Sequence, residues 1–459
     1  MIARPDPNYA RCVTLRAGEN TAMIQSRTTV RDRDTFVRWR IFILVIIASF
    51  VAYVLRSNMS IAGDALRKDL GFSLSELGLI LAANAWAYAL FQFPGGIFGD
   101  RVGPRKALMI IMVAWGVITI LTGLVPDTGV LPVTAALVML IALRFLQGVA
   151  QAPIFPVGCA GVISRWFPPS AWALPNGLAS TGLTLGAAAT APAIAWAVEN
   201  YGWRNSFLMS APLAFIIAAV WWWYGRDTPA QHPGVTPAEL ELIQAGRTVD
   251  TQSAPAPGAW KKVLRNRNIL LLTGAYFCMN YTFYIFFNWF YIYLVDVRGF
   301  KALEGGFLAA APWIAGAIAA TAGGALCDRL CIRIGPRWGC RLPAVVGLSL
   351  VSVLLLGGAM ADDPYTAVLL LSLCFGCTQL TEGAFWYAGI NIAGRNSASA
   401  CGIMNTGGNA VGGVGALLIP VIAEHVGWIP ALASGSVFAV TGVVLWLFIR
   451  ADEVMEAGK

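Results

Sequence analysis

Charged residues and histidine are scarce in this chain of 459 residues. Asp, Glu, Lys and Arg together make up 12% of it, whereas soluble domains carry about 25%, so the composition excludes an ordinary soluble enzyme of this length. The nine cysteines are scattered, and the one CxxC pair, Cys374 and Cys377, lies inside an apolar run without a second pair. We therefore expect no metal site and no cofactor, and cysteines that fill the core as small apolar side chains.

A basic face and a catalytic motif are also missing. Nucleic-acid binding would need a basic face on a soluble module, but the net charge of +8 is spread over loops and tails. A hydrolase would need a nucleophile within reach of a base. Both histidines, His232 and His425, lie outside the apolar segments, and no nucleophile motif stands near a base inside them. The sequence therefore predicts neither a nucleic-acid partner nor an enzyme.

Apolar residues are abundant instead. The chain is 57% hydrophobic with 48 Gly and 17 Trp, and its mean hydropathy is +0.66. Glycine is more frequent in membrane helices than in soluble ones, and about 20 apolar residues cross a bilayer as a helix. Twelve apolar segments predict an all-α polytopic membrane protein with twelve transmembrane helices. Numbered in chain order, they lie at residues 41–62, 75–98, 107–125, 132–157, 173–198, 205–225, 268–295, 303–326, 342–361, 365–393, 400–423 and 429–449.

A long polar interruption between segments 6 and 7 divides the chain into two halves. A Gly-x-x-x-Asp-Arg motif occurs at residues 96–101 after segment 2 and again at residues 324–329 after segment 8. Two duplicated six-helix halves would explain this repetition. The predicted organisation is a disordered basic cytoplasmic tail at 1–40, a first half at 41–225, a cytoplasmic linker at 226–267, a second half at 268–450 and a cytoplasmic tail at 451–459.

The distribution of positive charge predicts the orientation. Of the 32 Lys and Arg residues, 25 fall in the N-terminal tail, the loops after even-numbered segments and the C-terminal tail. Five lie on the opposite face and two lie inside segments. Because cytoplasmic loops carry the excess of Lys and Arg, both termini are predicted to be cytoplasmic.

Arg56 and Arg144 are the two basic residues inside apolar segments. An arginine at the middle of a membrane helix costs about 2.5–3.5 kcal/mol on insertion scales and marks a functional site by default. Each guanidinium either faces a water-filled cavity, where its planar fork binds a carboxylate or phosphate, or is buried against backbone carbonyls or a carboxylate. The sequence leaves both interpretations open.

Glu382, in segment 10, is the one acid of 24 that lies within an apolar segment rather than in a loop, a tail or a segment end. A buried carboxyl group takes up a proton more readily than an exposed one, so Glu382 is a candidate for carrying a proton between the two faces. Its alternative role is that of a fixed counter-ion to Arg56 or Arg144. Two basic sites and one acid, spread over two halves, predict a carrier for an anion.

Residues 95–106, Gly-Gly-Ile-Phe-Gly-Asp-Arg-Val-Gly-Pro-Arg-Lys, resemble the signature loop of the major facilitator superfamily, and residues 328–337 carry a degraded copy. The resemblance implies the fold of that superfamily. It also implies a conformational latch at the helix ends, since cations suit helix C-termini and anions suit N-termini. The latch residues are Asp100, Arg101, Arg105, Asp328 and Arg329.

Residues 40–450 are further similar to the anion:cation symporter family of this superfamily, which includes bacterial sugar-acid and phthalate permeases and the animal sialin and vesicular glutamate transporters. The resemblance is carried by Tyr53-x-x-Arg56-x-Asn58-x-Ser60, by residues 86–95 and 144–156, and by Asn405-Thr-Gly-Gly-Asn409. It implies that Arg56 is the main anion-binding group and that Arg144 supports it. The other expected substrate-binding residues are Tyr53, Tyr88, Gln151, Asn280, Tyr284, Trp386, Asn405 and Asn409.

Two positions depart from the family pattern. Bacterial symporters of the family typically carry an acid just before the segment 1 arginine and another seven residues after the segment 4 arginine. This chain has Leu55 and Gln151 there, so it lacks both of the family's coupling acids, and Glu382 becomes the candidate for a relocated proton-coupling group.

The predicted function is transport of a sugar acid or other small carboxylate across the bacterial cytoplasmic membrane, by a monomeric, proton-coupled, alternating-access carrier. Its partners are the organic anion and the lipid bilayer. The sequence is also compatible with three alternative functions, namely an uncoupled facilitator, an anion exchanger and an efflux carrier. A nutrient sensor that binds but does not transport is an alternative of another class.

Overall fold

The computed structural model describes residues 36–127, 129–168, 173–244, 262–393 and 397–455, and every regular element in these ranges is helical. Short π-helical stretches, Phe155–Val162 and Tyr293–Val297, lie at the ends of segments 4 and 7, and a 3-10 turn lies at Pro229–Gln231. The α-helices lie at Val37–Leu70, Leu74–Val102, Pro104–Gly123, Val133–Gln151, Ile163–Trp166, Ala173–Tyr224, Pro237–Gln244, Arg267–Asn288, Phe290–Ile292, Ala302–Met360, Pro364–Leu380, Glu382–Ala393, Ser397–His425 and Trp428–Phe448.

Ten helices among the described residues are long and apolar enough to cross a membrane, fewer than the twelve predicted. Two of them contain two apolar segments each: segments 5 and 6 meet at Gly202, and segments 8 and 9 meet at Gly335, both with non-helical backbone. The second of these helices has 59 residues, about 88 Å at 1.5 Å per residue, against about 30 Å of hydrocarbon core. It is therefore too long for one crossing.

The turns between helices repeat from one half to the other. Gly103 (φ 86°) and Gly335 (φ 81°) each precede a proline at the start of a helix. Gly202 (φ 80°) and Gly427 (φ 110°) each precede a tryptophan at the start of the sixth helix of a half. Positive φ favours glycine, and proline is preorganised for the first helical position. The repetition seen in the sequence thus extends to the backbone geometry.

The first helix begins at Val37, inside the range predicted as a tail. The linker explains the difference: the Glu239 carboxylate, in the helix Pro237–Gln244, accepts hydrogen bonds from the backbone N–H groups of Val37 (3.4 Å) and Arg38 (3.0 Å). First-turn N–H groups have no partner within their own helix. The part of the linker that the structure describes therefore caps segment 1. Residues 1–35 of the tail and 245–261 of the linker lie outside the described residues.

Segment 2 packs against segment 11, and segment 5 packs against segment 8, so that the two halves meet along two helix pairs. Glycine permits the close approach: a Cβ on Gly78 would lie 2.5 Å from the carbonyl oxygen of Ala416, and a Cβ on Gly306 would lie 2.9 Å from that of Ala191. Both contacts lie toward the end of the bundle that carries Asp64. This end is called the Asp64 end below, and the opposite one, with the segment 2–3 and 8–9 turns, the Arg105 end.

Candidate functional site

A central cavity of about 420 Å³ lies between the two halves. Its walls come from segments 1, 2, 4 and 5 of the first half and segments 7, 8, 10 and 11 of the second half. Most of the side chains that the sequence nominated line it. These are Tyr53, Arg56, Tyr88, Gln151, Asn280, Glu382, Trp386, Asn405 and Asn409.

Arg56 is buried in the first half, 8% exposed, and reaches the second half through a hydrogen-bonded series. Its Nη2 donates to the hydroxyl of Tyr284 at 3.0 Å, and that hydroxyl donates to Oδ1 of Asn409 at 2.9 Å. Asn409 Nδ2 donates to the backbone and side-chain oxygens of Asn405 at 2.8 and 3.0 Å. Asn405 Nδ2 in turn donates to Oε1 of Gln92, in the first half, at 3.2 Å. One network of polar side chains therefore joins both halves at the cavity.

Aromatic rings surround the Arg56 guanidinium. Its central carbon lies 4.4 Å from the ring centre of Tyr88, 4.8 Å from that of Phe287 and 5.7 Å from that of Tyr53. Ring faces attract a cation and hold it in place without neutralising it. Among the described residues no carboxylate forms an ion pair with Arg56, so its charge is available to an anion in the cavity.

Arg144 lies apart from the main cavity. With Arg56 and Tyr284 it lines a second cavity of about 10 Å³, too small for an organic anion. Its guanidinium lies 5.3 Å from the ring centre of Phe207, and its backbone oxygen accepts from Asn84 Nδ2 at 3.2 Å. Arg144 therefore does not line the main cavity and adjoins it only through Arg56, and its supporting role in anion binding stays a prediction. Gln151 lines the main cavity, and its Nε2 donates to the backbone oxygen of Ala52 at 3.1 Å.

Glu382 stands where segment 10 is interrupted: one helix ends at Leu380 and the next begins at Glu382. Its Oε1 accepts hydrogen bonds from the Tyr276 hydroxyl at 2.8 Å and from Trp386 Nε1 at 2.7 Å. Neither bond uses Oε2. Among the described residues Glu382 forms no ion pair with an arginine, which contradicts the counter-ion alternative for this state. Tyr276 was missed from the sequence, although it lies two helical turns before Tyr284.

The predicted latch can be followed only in part among the described residues. The side chain of Asp100 lies outside the described part of the chain. Arg105 donates from Nη2 to the backbone oxygen of Trp222 in the first half at 2.7 Å, and its backbone N–H donates to Oδ1 of Asp227, at the start of the linker, at 2.8 Å. Arg101, Asp328 and Arg329 are exposed and form no salt bridge among the described residues.

A charge cluster that the sequence did not predict joins the halves at the Asp64 end. Asp64 pairs with Arg67 and Lys68 at 2.7 Å each. Asp296, just after segment 7, pairs with Lys68 at 2.7 Å and with Arg67. Ser75 also donates from its backbone N–H to Glu424 at 2.9 Å. Between described residues, the hydrogen bonds that join the two halves lie here or around the cavity. The Asp64 end is therefore the closed one.

Asp296→Asn is expected to open the Asp64 end. The substitution removes both cross-half ion pairs, and exposed pairs are worth about 0.2–1 kcal/mol each. Together the two pairs contribute about 1 kcal/mol, which corresponds to a factor of about five in an equilibrium. We therefore expect the ratio of molecules closed at this end to molecules open at this end to fall about fivefold. The measurement is the distance distribution between spin labels on Val130 and Met360, carried on non-natural amino acids so that the native cysteines stay in place.

Asp362→Asn is the matched control, because Asp362 is exposed at the same end and forms no salt bridge among the described residues. Its distance distribution should equal that of the parent protein. Equal distributions for both variants would show that the Asp64 cluster does not hold the halves together.

The profile of the Major Facilitator Superfamily matches residues 45–394. The chain belongs to the major facilitator superfamily. Within it, the chain is a member of the anion:cation symporter family, to which its curated relatives belong. It is a membrane transporter and not an enzyme.

Three bacterial relatives are similar over most of their length. The probable sulfoacetate transporter SauU of Cupriavidus necator is 30% identical over 404 residues, which cover 87% of this chain and 91% of that protein. The probable galactarate/D-glucarate transporter GudP of Bacillus subtilis is 29% identical, with 87% of each chain covered. The D-galactonate transporter of Escherichia coli is 29% identical, with 90% and 96% covered.

A solved structure shares the fold. A bacterial homologue of the human lysosomal transporter Spinster, in an inward-facing and unoccupied conformation, superposes with a TM-score of 0.73 at 14% identity. The match covers 92% of this chain and 99% of that chain.

Proposed function

We propose that this transporter carries a small organic anion, a sugar acid or another small carboxylate, across the bacterial cytoplasmic membrane by alternating access. The observation that carries the proposal is Arg56: a buried guanidinium that lines a central cavity and has no carboxylate partner among the described residues. A guanidinium binds a carboxylate through two parallel hydrogen bonds. The relatives named for sulfoacetate, galactarate, glucarate and galactonate support an organic anion as the substrate.

The rest of the cavity suits a hydroxylated anion. Its volume of about 420 Å³ is within the 300–1,000 Å³ of typical small-molecule sites. Amide side chains on segments 7, 10 and 11 supply donors and acceptors for substrate hydroxyl groups, namely Asn280, Gln379, Asn405 and Asn409. Trp313 and Trp386 add aromatic surface against the carbon skeleton.

For the topology we propose twelve crossings, with the glycine breaks at 202 and 335 as turns between crossings and both termini in the cytoplasm. The positive charge of the loops at the Arg105 end supports this orientation. The Asp64 end is then the outer one, and the structure is closed toward the outside. Opening requires the Asp64 cluster to separate and the Arg105 end to close, while the cavity stays at the centre of the protein.

For coupling we propose that Glu382 carries a proton. A membrane potential of 100 mV opposes the entry of a monoanion by about 2.3 kcal/mol, and one accompanying proton removes this cost. Two donors hold Oε1, so the proton is exchanged at Oε2. The carrier acts as a monomer, because each chain contains the whole cavity.

The test is uptake into proteoliposomes with an imposed pH gradient and a panel of labelled sugar acids, sulfonated acids and aromatic carboxylates. Accumulation of one class, driven by an inward proton gradient, is the expected result. Counterflow without gradient-driven accumulation would replace the symporter with a facilitator or exchanger. Binding to the purified protein without any flux would indicate a sensor, and neither binding nor flux for any anion would overturn the proposal.

A further inference from the structure

Three cysteines that looked scattered in the sequence meet in one buried cluster. Cys327 and Cys331 lie one turn apart before the Gly335 break, and Cys340 lies after it. The sulfur atoms are separated by 3.9 Å (Cys327–Cys331), 4.0 Å (Cys327–Cys340) and 3.6 Å (Cys331–Cys340). Their residues are 1%, 6% and 0% exposed. This cluster was not predicted from the sequence, and the chain reversal at Gly335 creates it by bringing Cys340 back to Cys327 and Cys331.

Two glycines, Gly339 and Gly335, allow the three cysteines to lie this close together. A Cβ on Gly339 would lie 2.4 Å from the backbone nitrogen of Cys331 and 2.6 Å from its Sγ. Any other residue at this position would push the two helices apart and separate Cys340 from its partners. Gly335, with φ 81°, makes the turn that precedes it.

The geometry points to a three-thiolate binding site for a soft metal cation such as Zn²⁺, Cd²⁺ or Cu⁺. A metal–sulfur distance of about 2.3 Å places sulfur ligands about 3.8 Å apart in a tetrahedral site and about 4.0 Å apart in a trigonal one. The observed spacings of 3.6–4.0 Å already match this arrangement. Thiolate ligands select soft cations, and each sulfur that binds the metal gives up its proton to solvent.

Three thiolates with a divalent ion carry one net negative charge. In the proposed orientation the cluster lies at the cytoplasmic end, where thiols stay reduced. A bound ion would tie the ends of segments 8 and 9 together. The site itself does not depend on the transported solute.

Metal titration of the purified full-length chain in detergent, reduced and freed of metal, tests this site. We expect one Cd²⁺ per chain, bound with a sulfur-to-metal charge-transfer absorption in the ultraviolet. X-ray absorption should show three sulfur neighbours. Cys340→Ser should weaken Cd²⁺ binding at least about 100-fold, because outer-shell partners alone cost 10–100-fold.

The matched control is the double variant Cys374→Ser/Cys377→Ser, which removes a CxxC pair elsewhere in the second half and should leave the affinity within about twofold. Cys331→Ala provides a second test if Cys340→Ser does not fold. A first shell with fewer than three sulfurs, or equal Cd²⁺ affinity for the parent protein and the cluster variants, would overturn the inference. Loss of binding in the control alone would do so as well.

Discussion

Replacement of Arg56 by lysine should lower kcat/KM for anion uptake roughly 100-fold while leaving the protein folded. Lysine keeps the positive charge but loses the planar fork that binds a carboxylate with two hydrogen bonds. A hydrogen bond to a charged group is worth about 1.5–3 kcal/mol, or roughly 10–100-fold. Lysine also loses the donor to Tyr284, observed at 3.0 Å, so the upper part of this range applies. Initial uptake rates over a range of substrate concentrations give the ratio.

Arg341→Lys is the matched control. Arg341 is also a buried arginine, 6% exposed, but its Nη2 donates to the backbone oxygen of Ile449 at 2.6 Å, away from the cavity. Uptake by this variant should stay within about threefold of the parent protein. If the two arginine variants lose uptake equally, the loss reflects folding or membrane insertion, and Arg56 has no special role in binding.

Glu382→Gln is expected to lower gradient-driven accumulation by a factor of about ten or more. Counterflow should stay within about threefold of that of the parent protein. The amide oxygen can still accept from Tyr276 and Trp386, which both donate to Oε1 in the parent protein, but the amide cannot carry a proton. Cavity shape and anion binding should therefore survive while coupling is lost. Uptake with an imposed pH gradient, and counterflow without one, measure the two properties in the same vesicles.

Glu304→Gln is the control for this experiment. Glu304 also accepts a hydrogen bond from a tyrosine, Tyr365, at 2.8 Å, but the pair is exposed and outside the cavity. Accumulation by this variant should match that of the parent protein. Unchanged accumulation by Glu382→Gln would remove Glu382 from the coupling mechanism, and loss of counterflow would assign it to substrate binding instead.

Most of the side chains nominated from the sequence line the cavity, and the charged ones among them could be recognised because charged residues are rare in membrane helices. A charged side chain in an apolar segment is costly, so Arg56 and Glu382 stand out without any structure. Arg144 stands out equally, yet it lies outside the main cavity. Hydropathy shows that such a residue must face the interior of the protein, but it does not show whether the side chain lines the main cavity or packs beside it.

Residues whose type is common in their part of the sequence could not be predicted as functional. Tyr276 is one aromatic residue among many in segment 7, and only the rotation of that helix toward segment 10 makes it a partner of Glu382. Asp64 and Asp296 are unremarkable at segment ends, and their cluster with Arg67 and Lys68 joins residues about 230 positions apart. No local pattern contains such a contact.

The sequence by itself determined the helical class, the membrane setting, the family and the embedded charges, because each depends on composition, hydropathy or motifs read along the chain. The tertiary structure decided the arrangement between segments: the Arg56–Tyr284–Asn409 network, the closed Asp64 end and the meeting of Cys327, Cys331 and Cys340. The physical reason is that hydropathy reflects transfer from water into lipid, which acts on each segment alone. Contacts between segments depend instead on the rotation and register with which helices pack against one another.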